Sequence, residues 1–407
     1  MIQFARSYSR FLWRCAKVAF DGDWRYFAWL GFLFAVVLLG VNAYAKQFVH
    51  GLVITDMTDQ VSWGVYICNF TFLEGVAATA AIVLVIPVYI YQNKEMKDLV
   101  VIGELLAVSA ILMCLAFVMV DLGRPDRFLH LFPIVGKFNF PGSMLSWDVV
   151  VLNGYLLLNV YICGYLLYSR YQGKTPAKWF YIPFVFISIA WALSVHAVSA
   201  FLYVGLGGRH FWNSAIVGPR VLAAAAVSAP AILILTLQVI RRVTDYRVPN
   251  KALMTLRSIV QVAMIINVFL LFNELFTEFY SETLHASSAT YLFFGLHGHN
   301  ALVPWIWTAI TLNMVAMVIL ALPLSKSLRY LDLACVLAIV GIWIEKGMGL
   351  VIPGFIPTPL GEITEYSPSF NETLVCFGVW AFGILCFTIF IRMSLPIMQG
   401  RFTSANE

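Results

Sequence analysis

Ten stretches of roughly twenty or more mostly apolar residues run through this chain, at 26–45, 64–91, 99–120, 146–169, 179–204, 214–240, 258–280, 301–322, 329–349 and 370–392. A helix rises 1.5 Å per residue, so about 20 residues cross a hydrocarbon core roughly 30 Å thick. Lipid offers the backbone no hydrogen bonds, and a helix satisfies its own peptide groups within one segment. The pattern predicts an all-α integral membrane protein with ten transmembrane helices. Composition agrees, with 61% hydrophobic and 12% charged residues, where soluble domains carry about 25% charge. That excludes a soluble enzyme, a disordered scaffold and, despite a net charge of +5, a nucleic-acid reader.

The loops orient the spans. With the N-terminus inside, 19 of the 26 Lys and Arg residues fall on the inner side, a bias that predicts cytoplasmic termini on both ends. Residues 1–25 form a basic cytoplasmic segment without the apolar core and small-residue cleavage site of a removable signal. Residues 393–407 form a cytoplasmic tail. Lys46, Arg124, Arg127, Lys137, Arg209, Arg220 and Lys346 are assigned to the outside, as are His50, His130, His210, His285, His297 and His299. The longest outer segments are 121–145, 281–300 and 350–369, and long loops on one face are where a partner or a site tends to lie.

Seven cysteines at 15, 68, 114, 163, 335, 376 and 386 show no CxxC and no metal-ligand spacing, so neither an iron–sulfur cluster nor a disulfide framework is expected. Only His196 lies within a span, and no helix carries a His pair, which disfavours a haem held between helices. Any electron chemistry must use a diffusible cofactor or one held by a partner.

Ionisable residues at membrane depth cost at least about 2.5–3.5 kcal/mol each and face a bundle interior or a wet cavity. In the fifth span Ala192, His196, Ser199, Ala200 and Tyr203 fall on one helical stripe, mixing small, polar and phenolic groups. The seventh span repeats the pattern with Asn267, Leu271, Glu274 and Glu278. Asp148 opens the fourth span and Arg220 the sixth, so His196, Asp148, Arg220 and Glu274 can form an outer-half cluster. Asp148 and Arg220 would equally be accommodated at the water interface, while Glu278 and Glu345 are expected at the outer boundary without a role. Glu74 lies ten residues into the second span, on the stripe Thr71-Glu74-Gly75-Ala78, and Glu104 about five residues from the inner end of the third. The two suggest a partial proton path, although a permanently protonated structural carboxyl would leave the same trace.

Several motifs occur in a recognisable order: Trp63-Gly64-Val65-Tyr66-Ile67 with Phe70 and Gly75; Asp121-Leu122-Gly123-Arg124-Pro125-Asp126-Arg127-Phe128; Ser146-Trp147-Asp148; His196-Ala197-Val198-Ser199; and Glu274-Leu275-Phe276-Thr277-Glu278-Phe279-Tyr280-Ser281. Together they resemble the NrfD/PsrC family, the integral membrane subunits of polysulfide-reductase-like complexes. The loop at 121–128 is the most specific element, and the resemblance covers roughly residues 60–350. Ten spans are similar to the family's longer branch, and within it to the DsrP-like subunits of sulfur-metabolism complexes. The resemblance implies two four-helix bundles, 64–204 with the quinone site and 214–349, with peripheral helices at 26–45 and 370–392. It implies a quinone (menaquinone or ubiquinone) as exchangeable substrate and a ferredoxin-like iron–sulfur subunit docked on the outer face. A c-type cytochrome and further membrane or cytoplasmic redox subunits complete the implied complex, in a bacterial or archaeal cytoplasmic membrane. One departure is Ala78, where some relatives place a histidine one turn beyond the Glu74 position, so proton-path roles do not transfer unexamined.

A quinol carries two electrons and two protons, so its site needs groups to bond the ring oxygens and accept protons. Histidine, with an unperturbed pKa near 6.5, suits that exchange. The expected assignments are His196, Asp148 and Glu274 as catalytic groups, with His196, Asp148, Arg220 and Tyr203 at the quinone. Glu74 and Glu104 form the proton path. Two other classes fit the same residues: an assembly anchor without chemistry, and a secondary transporter, which the Pro-broken spans would suit but for the lack of a convincing inverted repeat.

Overall fold

The structure is a computed structural model that describes residues 2–132, 134–280 and 285–404. Among these residues the chain is helical, with a lone bridge between Leu296 and His299 in place of any strand. An amphipathic helix, α1 (Ile2–Ala19), precedes α2 (Trp24–His50), α3 (Val65–Val85), α4 (Val100–Asp121), α5 (Met144–Tyr171) and α6 (Lys178–Val204). Then follow α7 (Val217–Val243), α8 (Asn250–Tyr280), a short α9 (His285–Phe294), α10 (Val303–Ala321), α11 (Leu328–Lys346), the single turn α12 (Met348–Val351) and α13 (Phe370–Met398). Ten of them are long and apolar enough to cross a membrane, and each contains or overlaps one of the ten apolar stretches.

Local chemistry sets several ends. Asp23 caps α2 by accepting the Tyr26 N–H at 3.0 Å, and Ser369 and Glu372 form a reciprocal capping box at the start of α13. Pro87 cannot donate a backbone hydrogen bond, and α3 continues there as a π turn over Ile86–Ile90.

Nearly every residue of α3 is buried, the mark of a helix surrounded by others. It packs against α4, α6, α7, α11 and α13. Small residues permit this: Gly103 of α4 abuts the Ala80 carbonyl, and Gly75 faces Ala225 of α7. Helices α3, α4, α5 and α6 pack in sequence-adjacent pairs, as do α7, α8, α10 and α11, and α3 with α7 is the main join between the two groups. The helix α2 lies along α13, where Gly40 and Gly378 meet backbone to backbone, and most of its remaining surface is exposed.

Beyond α11 the chain does not leave the protein. It turns at Gly347, and Met348, Leu350, Val351, Ile352, Phe355 and Ile356 are all buried. They pack with Trp212, whose indole N–H donates to the Leu350 carbonyl at 2.7 Å, and with Trp63, stacked on Trp212 at 5.5 Å. The loop behind is pinned by Tyr366, whose hydroxyl donates to Glu372 Oε1 at 2.7 Å and accepts the Val65 N–H at 2.8 Å. On the opposite end, Phe11 and Ser7 of α1 rest on Tyr168 of α5. Leu12, Trp13 and Phe20 remain exposed beside basic residues, as in helices that lie in a membrane interface.

Candidate functional site

The predicted stripe of α6 is one buried face: Ala192, His196, Ser199, Ala200 and Tyr203 are all inside. Across from it, α3 presents Thr71, Glu74 and Thr79. His196 Nε2 lies 3.0 Å from Thr79 Oγ1, and the Tyr203 hydroxyl is bonded to that of Thr71. Glu74 faces Ser199 and, from α5, Asp148. Thus Glu74 belongs to the same group as His196 and Asp148 rather than to a separate relay. Asp148 is not at a water interface, since it is 2% exposed.

Four atoms of this group are buried without a hydrogen-bond partner among the described residues: both Glu74 oxygens, Asp148 Oδ1 and His196 Nδ1. Buried polar atoms are nearly always bonded, and leaving one unmade costs about 1–3 kcal/mol. Two carboxyls and an imidazole with spare bonding capacity suit a ligand that brings its own donors and acceptors. An aromatic cluster closes the Tyr203 end of the site, with Tyr203 edge-on to Trp63 at 5.8 Å and to Trp212 at 5.3 Å.

Towards the other end of the bundle, α4 places Glu104 fully inside with neither oxygen bonded. Tyr155 and Asn159 of α5 are buried in the same bundle, and the Tyr155 hydroxyl donates to the Ala78 carbonyl at 3.1 Å. Polar side chains therefore run the length of this bundle.

Arg220 and Glu274 are elsewhere. Arg220 points from α7 into the second group, where it pairs closely with Glu274 of α8 and, at 2.9 Å, with Glu345 Oε1 of α11. Glu345 Oε2 accepts from Asn267 Nδ2 at 3.2 Å and from Asn313 Nδ2 at 2.8 Å. Its neighbour Lys346 has Nζ 3.4 Å from Glu345 Oε1. The expected single cluster is thus two, one in each bundle. Glu278, Glu345 and Lys346, all expected near the outer boundary, are enclosed by protein at 6%, 2% and 4% exposed, so none of them faces water. The returning segment 348–356 covers the end of α11 and removes the water that distance along the chain implied. The signal available in advance was the apolar character of that segment.

A cavity lies beside the second cluster, lined by Arg220, Glu274, Glu278, Glu345, Leu292 and Phe293 among others. The segment 121–145 exposes Phe128, Leu129, Phe132, Ile134 and Phe140 and holds a bidentate Arg124–Asp126 pair. Of the segment 281–300, residues 281–284 lie outside the described residues, as does Pro133 of 121–145.

Ten helices long and apolar enough to cross a membrane, with carboxyl and imidazole groups buried between α3, α5 and α6, define a multi-pass membrane protein with a buried polar site. The chain belongs to the family "Polysulphide reductase, NrfD", which it matches over residues 53–357. It is 25% identical to a putative membrane subunit of dimethyl sulfoxide reductase from Halobacterium salinarum over 416 positions, covering 91% of this chain and 92% of that one. It is 23% identical to the Hdr-like menaquinol oxidoreductase integral membrane subunit of Archaeoglobus fulgidus over 383 positions, covering 91% and 93%. Against a selenate reductase subunit from Mesobacillus selenatarsenatis it is 23% identical over 423 positions, covering 92% and 94%.

Proposed function

We propose that this chain is the quinone-reactive membrane subunit of a multi-subunit oxidoreductase, with the quinol head group bound among Glu74, Asp148, His196 and Tyr203. The observation that carries the reading is the set of buried, unbonded atoms on Glu74, Asp148 and His196. A quinol hydroxyl donates to a carboxylate or to His196 Nδ1, and a quinone oxygen accepts from Tyr203 or a protonated carboxyl. Thr79 holds the imidazole from the other nitrogen, so Nδ1 is fixed for this contact. The two hydroxyl protons of the quinol pass to the carboxyl pair. The apolar side chains around Trp63 and Trp212 keep the head group from bulk water.

The relative named as a menaquinol oxidoreductase subunit supports a quinone, of menaquinone or ubiquinone type, as the exchangeable substrate. Arg220 and Glu274 act at a distance, as an ion-paired group of the second bundle. Glu104 extends a proton route along the first bundle towards the inner face, where the excess of Lys and Arg supports cytoplasmic termini. The exposed apolar residues of 121–145, with segment 281–300, offer the surface for an iron–sulfur partner that takes or supplies the electrons. A bacterial or archaeal cytoplasmic membrane follows.

The test is a titration of the purified complex with a fluorescent quinol analogue. Wild type is expected to bind saturably and His196→Ala to lose at least tenfold in affinity with the set of bound subunits unchanged. Equal binding by both would remove His196 from the site, and no binding by an active wild-type complex would favour the anchor.

A further inference from the structure

Lys346 is a cation where a lysine is seldom found. Long basic side chains near helix ends normally reach for water, yet this one is buried at the end of α11 beneath the returning segment 348–356. Its partner Glu345 is already held by Arg220, Asn267 and Asn313. At 3.4 Å, Lys346 is the loosest of the four donors.

Its other side is a small cavity between the bundles. The walls are Thr71 and Gly75 of α3, Ala225 and Ser228 of α7, and Ile342 and Lys346 of α11. Thr71 carries the hydroxyl bonded to Tyr203 and stands one turn before Glu74. The cavity therefore has on its walls both Lys346 and Thr71, the residue through which Tyr203 of the proposed head-group site is reached. Across the ion cluster lies the second cavity, lined by Arg220, Glu274, Glu345 and Glu278. Glu278 is the last carboxyl of α8 before the outer segment. Arginine cannot release a proton in a protein, whereas lysine gives one up when its surroundings ask for it.

We propose that Lys346 relays protons between the two bundles, from the Thr71–Tyr203 hydroxyls across the inter-bundle cavity to Glu345, and so to Glu274 and Glu278. The inference rests on the quinone reading above. On oxidation, the quinol's two electrons go to the iron–sulfur partner and its two protons to Glu74 and Asp148. The neutral Lys346 amine takes one of these protons through the hydroxyls and becomes an ammonium. The ammonium then passes it to the Glu345 carboxylate. Only O–H and N–H bonds are made and broken. With Arg220 and Glu274 charged, the group of four carries one net negative charge before uptake and none after.

The experiment uses the whole complex, isolated through a tag on this chain, with a decyl-tailed naphthoquinol as donor and ferricyanide as acceptor. Two variants are compared with wild type. Lys346→Arg holds the site in its charged, Glu345-paired form and cannot release a proton. Lys346→Met combined with Glu345→Gln removes both titratable members of the relay and leaves the Arg220–Glu274 pair balanced. Both are expected to bind the fluorescent quinol analogue within twofold of wild type, to turn over at least tenfold more slowly, and to show a larger solvent deuterium effect. Turnover within twofold of wild type in either variant would overturn the relay, because a purely structural ion pair is restored by arginine. Loss of analogue binding in the variants would also overturn it, by placing the pair at the head group. No analogue binding by wild type would overturn the quinone reading itself.

Discussion

Arg220 and Glu345 meet at 2.9 Å inside the second bundle, on helices 125 residues apart in the chain. With Glu274 on the guanidinium's other side, the contact ties α7, α8 and α11 at one point. Breaking a buried pair from one side strands a charge and costs about 3–5 kcal/mol. Arg220→Leu, which leaves two carboxyls facing each other, is expected to lower the thermal midpoint of the purified protein sharply, and Arg220→Lys to lower it less. An unchanged midpoint in Arg220→Leu would mean that the carboxyls are neutral when the arginine is absent.

Thr79 orients His196 through Nε2 at 3.0 Å. A net hydrogen bond contributes about 0.5–1.5 kcal/mol, and 1.4 kcal/mol is tenfold in affinity. Thr79→Val should weaken quinol-analogue binding by roughly three- to tenfold, and Thr79→Ser should restore it. Identical titrations for all three would show that the imidazole needs no such support.

At the crossing of α2 and α13, a side chain on Gly378 would begin 2.6 Å from the Gly40 Cα. Overfilling a packed contact costs about 1–3 kcal/mol. Gly378→Leu is expected to separate the first and tenth spans, seen as earlier unfolding of α13 by hydrogen exchange. The same substitution at Gly164, which has open space, is the control.

Glu365 holds the loop before α13 to the start of α10, accepting the Ala301 N–H at 2.9 Å and facing His299 Nδ1 at 3.4 Å. Partial burial pushes its carboxyl up, but these hydrogen bonds and the His299 charge outweigh burial and bring it below the usual glutamate range. A carboxyl lowered in the folded state adds stability above its unfolded pKa, near 4.3, and loses it as pH falls through the folded value. Exchange at the Ala301 amide should therefore rise relative to neighbouring amides below about pH 4. Glu365→Gln should show no such step, and a step that persists would assign it to another group.

How much of this is legible in the sequence depends on whether a feature is set along the chain or across it. The ten spans are, because lipid imposes length and hydropathy on each helix separately. The faces of α6 and α8 are too: His196, Ser199 and Tyr203, and Asn267, Glu274 and Glu278, turn inward as their spacing requires. Neighbours across helices are not. Position along the spans alone groups Arg220 and Glu274 with His196, yet α7 turns Arg220 towards Glu274 and Glu345 of the second bundle. Glu74 looks solitary along the chain because its partner, Asp148, comes from a helix more than seventy residues later. Depth also misleads at Glu345 and Lys346, where a folded-back segment replaces the water that normally begins at a helix end.

Asn69 Oδ1 accepts two indole N–H groups, from Trp343 of α11 at 3.0 Å and from Trp380 of α13 at 2.8 Å. Together with the contact of Gly40 and Gly378, this makes the tenth span a structural member of the part of the chain made early. During synthesis, α2 and α3 enter the bilayer long before that partner leaves the ribosome. They must wait there with an unfilled groove, and with one of the two indole donors to Asn69 missing, until the tenth span arrives. Completion of the first bundle is thus tied to a late step of translation, and a chain cut short before residue 370 would leave it unfinished, exposed to the cell's membrane proteases.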